Sequence, residues 1–388
     1  METLGLFLLS AAIAAAQPAF QSELLFPPET WHNHSSSIVE LPNGDLFVAW
    51  FHGSGERQSD DVKIEGARWR KSTRTWSQRF ELADTPGFPD TNCVVWLDSK
   101  KQLWLMWPAI LANTWESALM KVRWSTDFMQ SEGPPKWAWQ ENMLLIPKRA
   151  QEKAQEVYAR ELRSPGPLNQ WASRMIALAG DKQFSRLGWF TRTHPIELPN
   201  GRILVPLYSD GFSWGLMGIS DDGGKTWHAS EPLVGFGNIQ PSVVRKKDGT
   251  LVAYMRDNGP APKRAHVSYS TDNGETWTGA VDTLIPNPGS SLEAISLKDG
   301  RWVMVYNDTE KGRASLTIRM SDDEGQTWKW ERHLERGTNF SYSYPSVIQS
   351  ADGAIHVTYS SHESKDGKAH KSIKHARFDA AWIEQGDR

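Results

Sequence analysis

Short apolar runs recur along the chain, each interrupted by a tight-turn pair and resumed on its far side. The turn pairs are Asn43-Gly44, Asn200-Gly201, Asp248-Gly249, Asp299-Gly300 and Asp352-Gly353. Such pairs between apolar segments signal hairpins, because the favoured two-residue turn needs positive φ at its central residues. A degenerate sixth copy falls at Lys100-Lys101, between Val94-Val-Trp-Leu97 and Leu103-Trp-Leu-Met106. A second phrase runs in phase with the first. Ser220-Asp-Asp-Gly-Gly-Lys-Thr-Trp227, Ser270-Thr-Asp-Asn-Gly-Glu-Thr-Trp277 and Ser321-Asp-Asp-Glu-Gly-Gln-Thr-Trp328 all fit S-x-D-x-G-x-T-W, and their glycines step by 50 and 51 residues. From turn glycine to phrase glycine the offsets are 23, 25 and 25. Each unit therefore reads strand, turn, strand, then strand, phrase, strand. Six units predict an all-β, six-bladed propeller.

Inside the phrase, Asp222, Asp272 and Asp323 are placed to bond the turn's own amides, and the glycine takes positive φ. Trp227, Trp277 and Trp328 are large enough to plug between neighbouring sheets. A calcium loop is a poor fit, since the ligand pattern and glycine spacing are wrong. Lys71-Ser-Thr-Arg-Thr-Trp76 reads as a decayed copy in blade 1, and Trp124-Ser-Thr-Asp127 as the start of one in blade 2. The step from Lys101 to Gly201 is twice the others and holds Ala150 to Ala177, rich in Gln, Glu, Ala and Arg and broken by Pro165 and Pro167. That predicts a helical insertion at about 148–178, between blades 2 and 3, forming a lid or rim; a disordered surface loop is the competing reading. One period throughout predicts a single domain over 17–388.

Composition narrows the partners. A net charge of −3 over 388 residues, with no basic run, gives nothing for nucleic acid to grip. Twenty Trp residues suit either inter-sheet plugs or sugar-stacking surfaces, and composition does not separate the two. Leu4 to Ala16 is apolar and ends in Ala14-Ala15-Ala16, so residues 1–16 read as a secretory leader cut before about Gln17 and too short to span a membrane. Glu2 stands where a basic residue is usual, and an N-terminal anchor is the alternative. The expectation is a secreted or periplasmic protein with no membrane span. Cys93 is the single cysteine, which excludes an intrachain disulfide and a cysteine-built zinc site. No metal or cofactor is expected.

Eight residues before each turn lies the start of the innermost strand, at Ser35, Asn92, Arg192, Gln240, Ser291 and Tyr344. Strand side chains alternate with period two, so His194 and Glu293 should share the faces of Arg192 and Ser291. Arg, Gln, Glu, His and Tyr make a poor apolar core and a plausible polar site at the channel mouth. A water-filled structural channel is the bland alternative.

The eight-residue phrase resembles the Asp box, or BNR repeat, of the sialidase (neuraminidase) superfamily, and the resemblance spans nearly the whole mature chain. In that family the box is structural and lies away from the active face. The family holds a sugar-acid carboxylate with three arginines, attacks the anomeric carbon with a Tyr activated by a Glu, and uses an Asp as acid/base. The segment around Arg313-Ala-Ser-Leu-Thr-Ile-Arg-Met-Ser is similar to the family's third-arginine segment, Met255-Arg256 matches the second, and Tyr344 matches the nucleophile. Elsewhere the chain departs. His34, in Asn33-His34-Ser35-Ser36, stands where the first arginine belongs, and Gln240 where the activating Glu belongs. The acid loop, Gly53 to Asp61, offers Asp60 and Asp61.

The resemblance implies a retaining exo-glycosidase acting on glycans with a terminal acidic sugar: sialic acid, Kdo (3-deoxy-D-manno-octulosonic acid) or a related 2-keto-3-deoxy acid. A neutral phenol suits such a sugar, because a carboxylate nucleophile is repelled by the sugar's own charge. Gln240 orients the phenol but takes no proton, so Glu293 is the candidate for a relocated base. Arg192 or Arg57 is the candidate third guanidinium. Plainer roles compete at each position. Arg313 pairs with Asp308 or Glu310; Tyr342 is the functional tyrosine; Glu293 bridges Arg256; His32 and His34 bind a metal; His362, His370 and His375 are solvated. At the level of function, a non-catalytic glycan-binding propeller and a polysaccharide lyase using Tyr344 or His34 remain as alternatives.

Overall fold

A computed structural model describes residues 20–130 and 132–387, so the predicted leader at 1–16 lies outside the described residues. Six antiparallel sheets surround one axis. Blade 1 starts with His32–Glu40, Leu46–Gly53 and Lys63–Arg70, its outer edge shared by Thr75–Trp76 and Phe80–Ala83. Blade 2 is Val94–Leu97, Leu103–Ile110, Ala118–Ser125 and Trp139–Asn142. In blade 3 the inner edge is two short pieces, Phe190–Thr191 and Ile196–Glu197, followed by Ile203–Ser209, Trp214–Ser220 and His228–Ala229. Blade 4 is Asn238–Arg245, Leu251–Asp257, Arg264–Ser270 and Val281–Pro286. Blade 5 is Glu293–Ser296, Trp302–Tyr306, Ser315–Ser321 and Trp330–Arg336. Blade 6 takes Phe340–Gln349, Ile355–Lys365 and Lys368–Phe378, then borrows Gln21–Leu24 as its outermost strand, so the first and last strands of the described residues are hydrogen-bonded together. That pairing closes the ring and covers an edge that would otherwise be open.

The turn pairs and the eight-residue phrases fall where the period puts them, between the first and second and between the third and fourth strands of their blades. Asp272 shows the phrase's chemistry: its carboxylate accepts from Ser270 Oγ (2.8 Å), Thr276 N (3.0 Å) and Thr276 Oγ1 (2.6 Å). The glycine abuts the preceding blade. A Cβ at Gly224 would stand 2.3 Å from the Trp104 ring, at a residue whose φ is already +84°. Trp227 packs edge-on to that same Trp104, Trp328 packs against Tyr254, and Trp277 is buried with Leu198, Leu204 and Met217 of blade 3. Each phrase thus fastens its own blade to the one before it.

The insertion is helical. Ala150–Val157, Pro167–Gly180 and Lys182–Arg186 form three helices, a few residues beyond the predicted end. Ala154, Ala172, Met175 and Ala179 face the core of blades 2 and 3, and Tyr158 bonds Gly235 O and Trp214 Nε1. The helices buttress the flank of blade 3, whose outermost strand has only two residues.

Neighbouring innermost strands are stitched by hydroxyls. Ser37 Oγ accepts from Val95 N (3.1 Å), and Ser242 Oγ accepts from Ala294 N (2.9 Å). Ser346 Oγ accepts from Ile38 N (3.2 Å), and Thr193 Oγ1 donates to Pro241 O (2.5 Å). Around a propeller axis the inner strands splay too far to share a ladder, so a side chain bridges the gap. Ser242→Ala leaves the buried Ala294 amide without its acceptor and should cost about 1–3 kcal/mol. Urea denaturation checks this: the midpoint falls while the slope stays unchanged.

Candidate active site

Innermost-strand residues are turned toward the axis by a repeated backbone device. Ser35, Asn92, Gln240 and Tyr344 all have positive φ, at 57°, 40°, 56° and 56°. In blades 1, 4 and 6 the pairing register shifts at this point, between His34 and Ser37, Ile239 and Ser242, and Ser343 and Ser346. A left-handed residue in an antiparallel strand makes a bulge, which re-aims a side chain. For a non-glycine residue it costs about 1–2 kcal/mol.

Two of these residues, Asn92 and Tyr344, line a pit of about 390 Å³ on the face opposite the Asp-rich phrases, and Gln240 lies against it, bonded to Tyr344. Its lining includes His34, Asn92, Tyr208, Arg256, Arg313 and Tyr344, with Glu56 and Asp210 as its carboxylates. The Tyr344 hydroxyl accepts from Arg256 Nη1 (2.8 Å) and Gln240 Nε2 (3.3 Å). Gln240 Nε2 and Asn92 Nδ2 also donate to the Tyr208 hydroxyl, at 2.9 and 3.0 Å. The His34 ring packs 4.2 Å from the Tyr344 ring, and the Arg313 guanidinium lies 5.6 Å from it.

The electrostatics divide the pit's two carboxylates. Burial pushes Asp210 up to about 6, against the pull of Arg256. Glu56 is held low by His32, whose Nε2 lies 3.1 Å from Glu56 Oε1. Burial drives His34 well below the usual imidazole range, aided by His32 and His362, so its ring is neutral. Burial would lower Arg256, but Tyr344, Tyr208 and Asp210 hold it above its ordinary value. One carboxyl that holds its proton up to about pH 6, one held ionised, a phenol and two guanidiniums together form an acid–base site able to bind an anion.

A BNR repeat-like domain model matches residues 44–357, more than half of the chain. The chain belongs to the BNR repeat-like family of the sialidase superfamily. A sialidase of Micromonospora viridifaciens is 30% identical over 174 residues, which is 42% of this chain and 25% of that protein. An exo-alpha-sialidase of Aspergillus fumigatus is 21% identical over 368 residues, 92% of this chain and 70% of that one. The chain spans about a quarter of the length of the first of these relatives. Among solved structures, a leech intramolecular trans-sialidase complexed with 2,7-anhydro-Neu5Ac superposes with a TM-score of 0.69 at 15% identity, covering 94% of this chain and 71% of that one. A Penicillium chrysogenum alpha-L-arabinanase superposes at 0.56 and 13%, covering 93% and 98%. The fold is shared across different sugars.

Set against this family's pattern, the sequence candidates separate into three groups. Tyr344, Gln240, Arg256, Arg313 and His34 meet at the pit. Arg313 does not pair with Asp308 or Glu310; it donates to Gly289 O (2.8 Å), while Glu310 pairs with Arg264. Arg192 lies beneath the pit, not in it. It is buried under the Tyr344 ring, 5.0 Å away, and donates to Pro345 O (2.8 Å) and Ser36 O (3.4 Å). Glu293 fails as a relocated base. Its oxygens accept from His194 N and Nδ1 (2.8 and 2.9 Å) and from Val347 N (2.7 Å), and it lines the opposite mouth of the channel. Sharing a strand face does not mean sharing a mouth: two residues further along is roughly 6–7 Å deeper.

The acid loop also needs correction. Asp61 accepts from Ser54 N and Oγ, and Asp60 from Asn113 Nδ2, so both are engaged outside the pit. Glu56, from the same loop, enters instead. Arg57 stacks on the Trp115 ring at 5.1 Å and is not among the pit-lining residues. Tyr342 stacks on Phe340, away from the pit. His32 receives Lys371 Nζ at Nδ1 and His34 bonds Ser360 Oγ, so the H-x-H pair is engaged with protein groups. His362 packs against His34, and His375 is buried against His356; neither is solvated.

Asp210, Glu56 and Tyr208 escaped the sequence reading. Their signal is position: each lies at or after the end of a blade's second strand, as Arg256 does, on the side away from the turn pairs. Asp210 carries a measurable consequence. Its folded-state pKa is raised, so the native state keeps a proton that the unfolded state has lost, and stability falls as pH rises from about 4 to about 6. Asp210→Asn should flatten that slope and raise stability at pH 7 by on the order of 1–3 kcal/mol. Urea titrations at pH 4, 5, 6 and 7 test it.

Proposed function

We propose that the chain is a glycoside hydrolase that removes a terminal acidic sugar, with Tyr344 as nucleophile and net retention at the anomeric carbon. The observation that carries this reading is the convergence of Arg256 and Arg313 on the Tyr344 phenol in one pit. A ketosidic sugar acid bears its carboxylate on the carbon under attack. Two guanidiniums neutralise that charge, each charge-assisted bond contributing about 1.5–3 kcal/mol. The phenol then approaches without like-charge repulsion.

In the first step Tyr344 Oη bonds to the anomeric carbon as the bond to the leaving oxygen breaks. Asp210, protonated near pH 6, gives its proton to that oxygen. The phenol proton passes to Glu56, the carboxylate held ionised by His32. Arg256 and Gln240 are aimed at the oxygen where negative charge develops. Water then attacks from the face the leaving group vacated, giving its proton to the Asp210 carboxylate, while the bond to Tyr344 breaks and Glu56 returns the phenol's proton. His34, neutral where the family pattern has a cation, leaves the carboxylate gripped from two sides and keeps sugar acids besides sialic acid in play.

One observation favours a second reading, β-elimination from a uronate: a neutral imidazole packs on the phenol, and an amide, not a carboxylate, bonds it. The two reactions leave different products. Fluorogenic sialoside and Kdo ketoside report hydrolysis, and ultraviolet absorbance of an unsaturated uronate reports elimination. Under the hydrolase reading, Tyr344→Phe lowers kcat by about 10²–10⁴-fold with the fold intact. Arg313→Ala lowers kcat/KM by about 10–100-fold, the loss of one charge-assisted grip. Release of unsaturated product, or full activity in Tyr344→Phe, overturns the reading.

A further inference from the structure

Of the twenty tryptophans, all within the described residues, only Trp31 is exposed, at 49% of its surface. The others are buried or half-buried, several of them as plugs between sheets. A single exposed apolar side chain is ordinary in itself, so what distinguishes Trp31 is how it is held.

Its surroundings are built. Trp31 lies on the His52 ring, with centroids 5.6 Å apart and planes at 27°. His52 Nδ1 donates to Asn33 Oδ1 (3.0 Å), which also receives Trp50 Nε1 (3.0 Å). Asn33 Nδ2 in turn donates to Glu29 Oε1 (3.0 Å) and to Trp31 O (3.3 Å). Arg79 grips Glu29 through two bonds, at 2.6 and 3.0 Å. One indole face is therefore backed by an imidazole that a fully buried asparagine and an ion pair hold still, and about half of the residue's surface stays open. Rigid presentation of an aromatic surface lowers the entropy lost when something stacks on it.

Its position ties it to the pit. Trp31 precedes the strand that carries His34, and His52 pairs with Asn33 one step outward from the pit-lining pair of His34 and Phe51. At about 3.3 Å per residue, Trp31 stands about 10 Å from His34 along the strand. A pit of about 390 Å³ holds one sugar residue, so the rest of a glycan must leave over its rim.

We propose that Trp31 is the platform of an aglycone subsite. The neutral sugar that carries the cleaved acidic residue lays its C–H face on the open indole, so the substrate is an oligosaccharide or glycoconjugate. As a statement about cleavage this rests on the hydrolase reading above; as a statement about binding it does not. Two measurements on the full chain keep them apart. The first is saturation-transfer NMR with N-acetyllactosamine, a neutral probe. Wild type and Tyr344→Phe bind it, Trp31→Ala loses at least tenfold in affinity, and Trp31→Phe recovers most of that loss. No binding by wild type, or equal binding by Trp31→Ala, overturns the proposal whatever the enzyme cleaves. The second compares 3′-sialyllactose with methyl α-sialoside. Trp31→Ala raises KM about tenfold for the trisaccharide, leaves kcat within twofold, and leaves the methyl sialoside unchanged. An equal loss on both substrates overturns the subsite. If neither these substrates nor a Kdo ketoside is cleaved while N-acetyllactosamine binds through Trp31, the hydrolase reading fails and the subsite stands.

Discussion

The architecture depends on how six inner strands meet around an axis without sharing a ladder. A left-handed residue kinks the strand toward the axis, and two residues later a hydroxyl bridges to the next blade. Ser35 is followed by Ser37, Gln240 by Ser242 and Tyr344 by Ser346. The bulge is unfavourable alone, and an unpaired inner edge is unfavourable alone. Together they close the ring and spend the strain on aiming Gln240 and Tyr344 at one point. The nucleophile candidate is thus presented by the same feature that holds the blades together. Its phenol oxygen sits within bonding distance of a guanidinium from blade 4, with no loop required to fold over it.

Beneath the pit the axis is filled by charge. Arg192 lies buried under Tyr344, and the His194–Glu293 pair lies beyond it. Burial raises Glu293, but His194 and Arg192 outweigh it and keep the carboxylate ionised. A carboxylate bonded by two backbone amides and an imidazole has nothing left to offer a phenol. Arg192 contributes positive potential from below, which any anion in the pit meets in addition to Arg256 and Arg313. The value of the His194–Glu293 pair lies in fixing three inner strands at once, since a buried ion pair seldom adds net stability.

The fold was legible because its signals are local. An Asn-Gly turn or an Asp carboxylate bonding amides three and four residues on needs no knowledge of the rest of the chain, and a period of fifty exposes the repetition. Tyr344 and Gln240 were legible for the same reason, each lying eight residues before one of those turns, whereas Arg256, Arg313 and His34 were legible only through the resemblance to sialidases. Glu56 and Asp210 were not. They sit on connections of unequal length on the far side of each sheet, where in-phase counting gives out. Glu293 misled because alternation predicts which way a side chain faces but not how deep along the axis it stands. Arg192 misled because a guanidinium at the start of an inner strand need not face ligand; its donors serve the carbonyls of Pro345 and Ser36.

The two faces of the ring therefore bear different kinds of constraint. On one, Asp, Gly, Thr and Trp recur because each phrase must bond its own backbone and press on the neighbouring blade; Gly224 against Trp104 leaves no room for a methyl group. On the other, the residue beside Tyr344 and the group that meets its hydroxyl are held by side-chain contacts alone, His34 by Ser360 and Gln240 by Tyr208 and Tyr344. The serines, turns and plugs that hold the ring lie elsewhere, so neither side chain belongs to what closes it. That is why a chain can carry the family's repeats in register while its chemistry has to be argued from the pit alone.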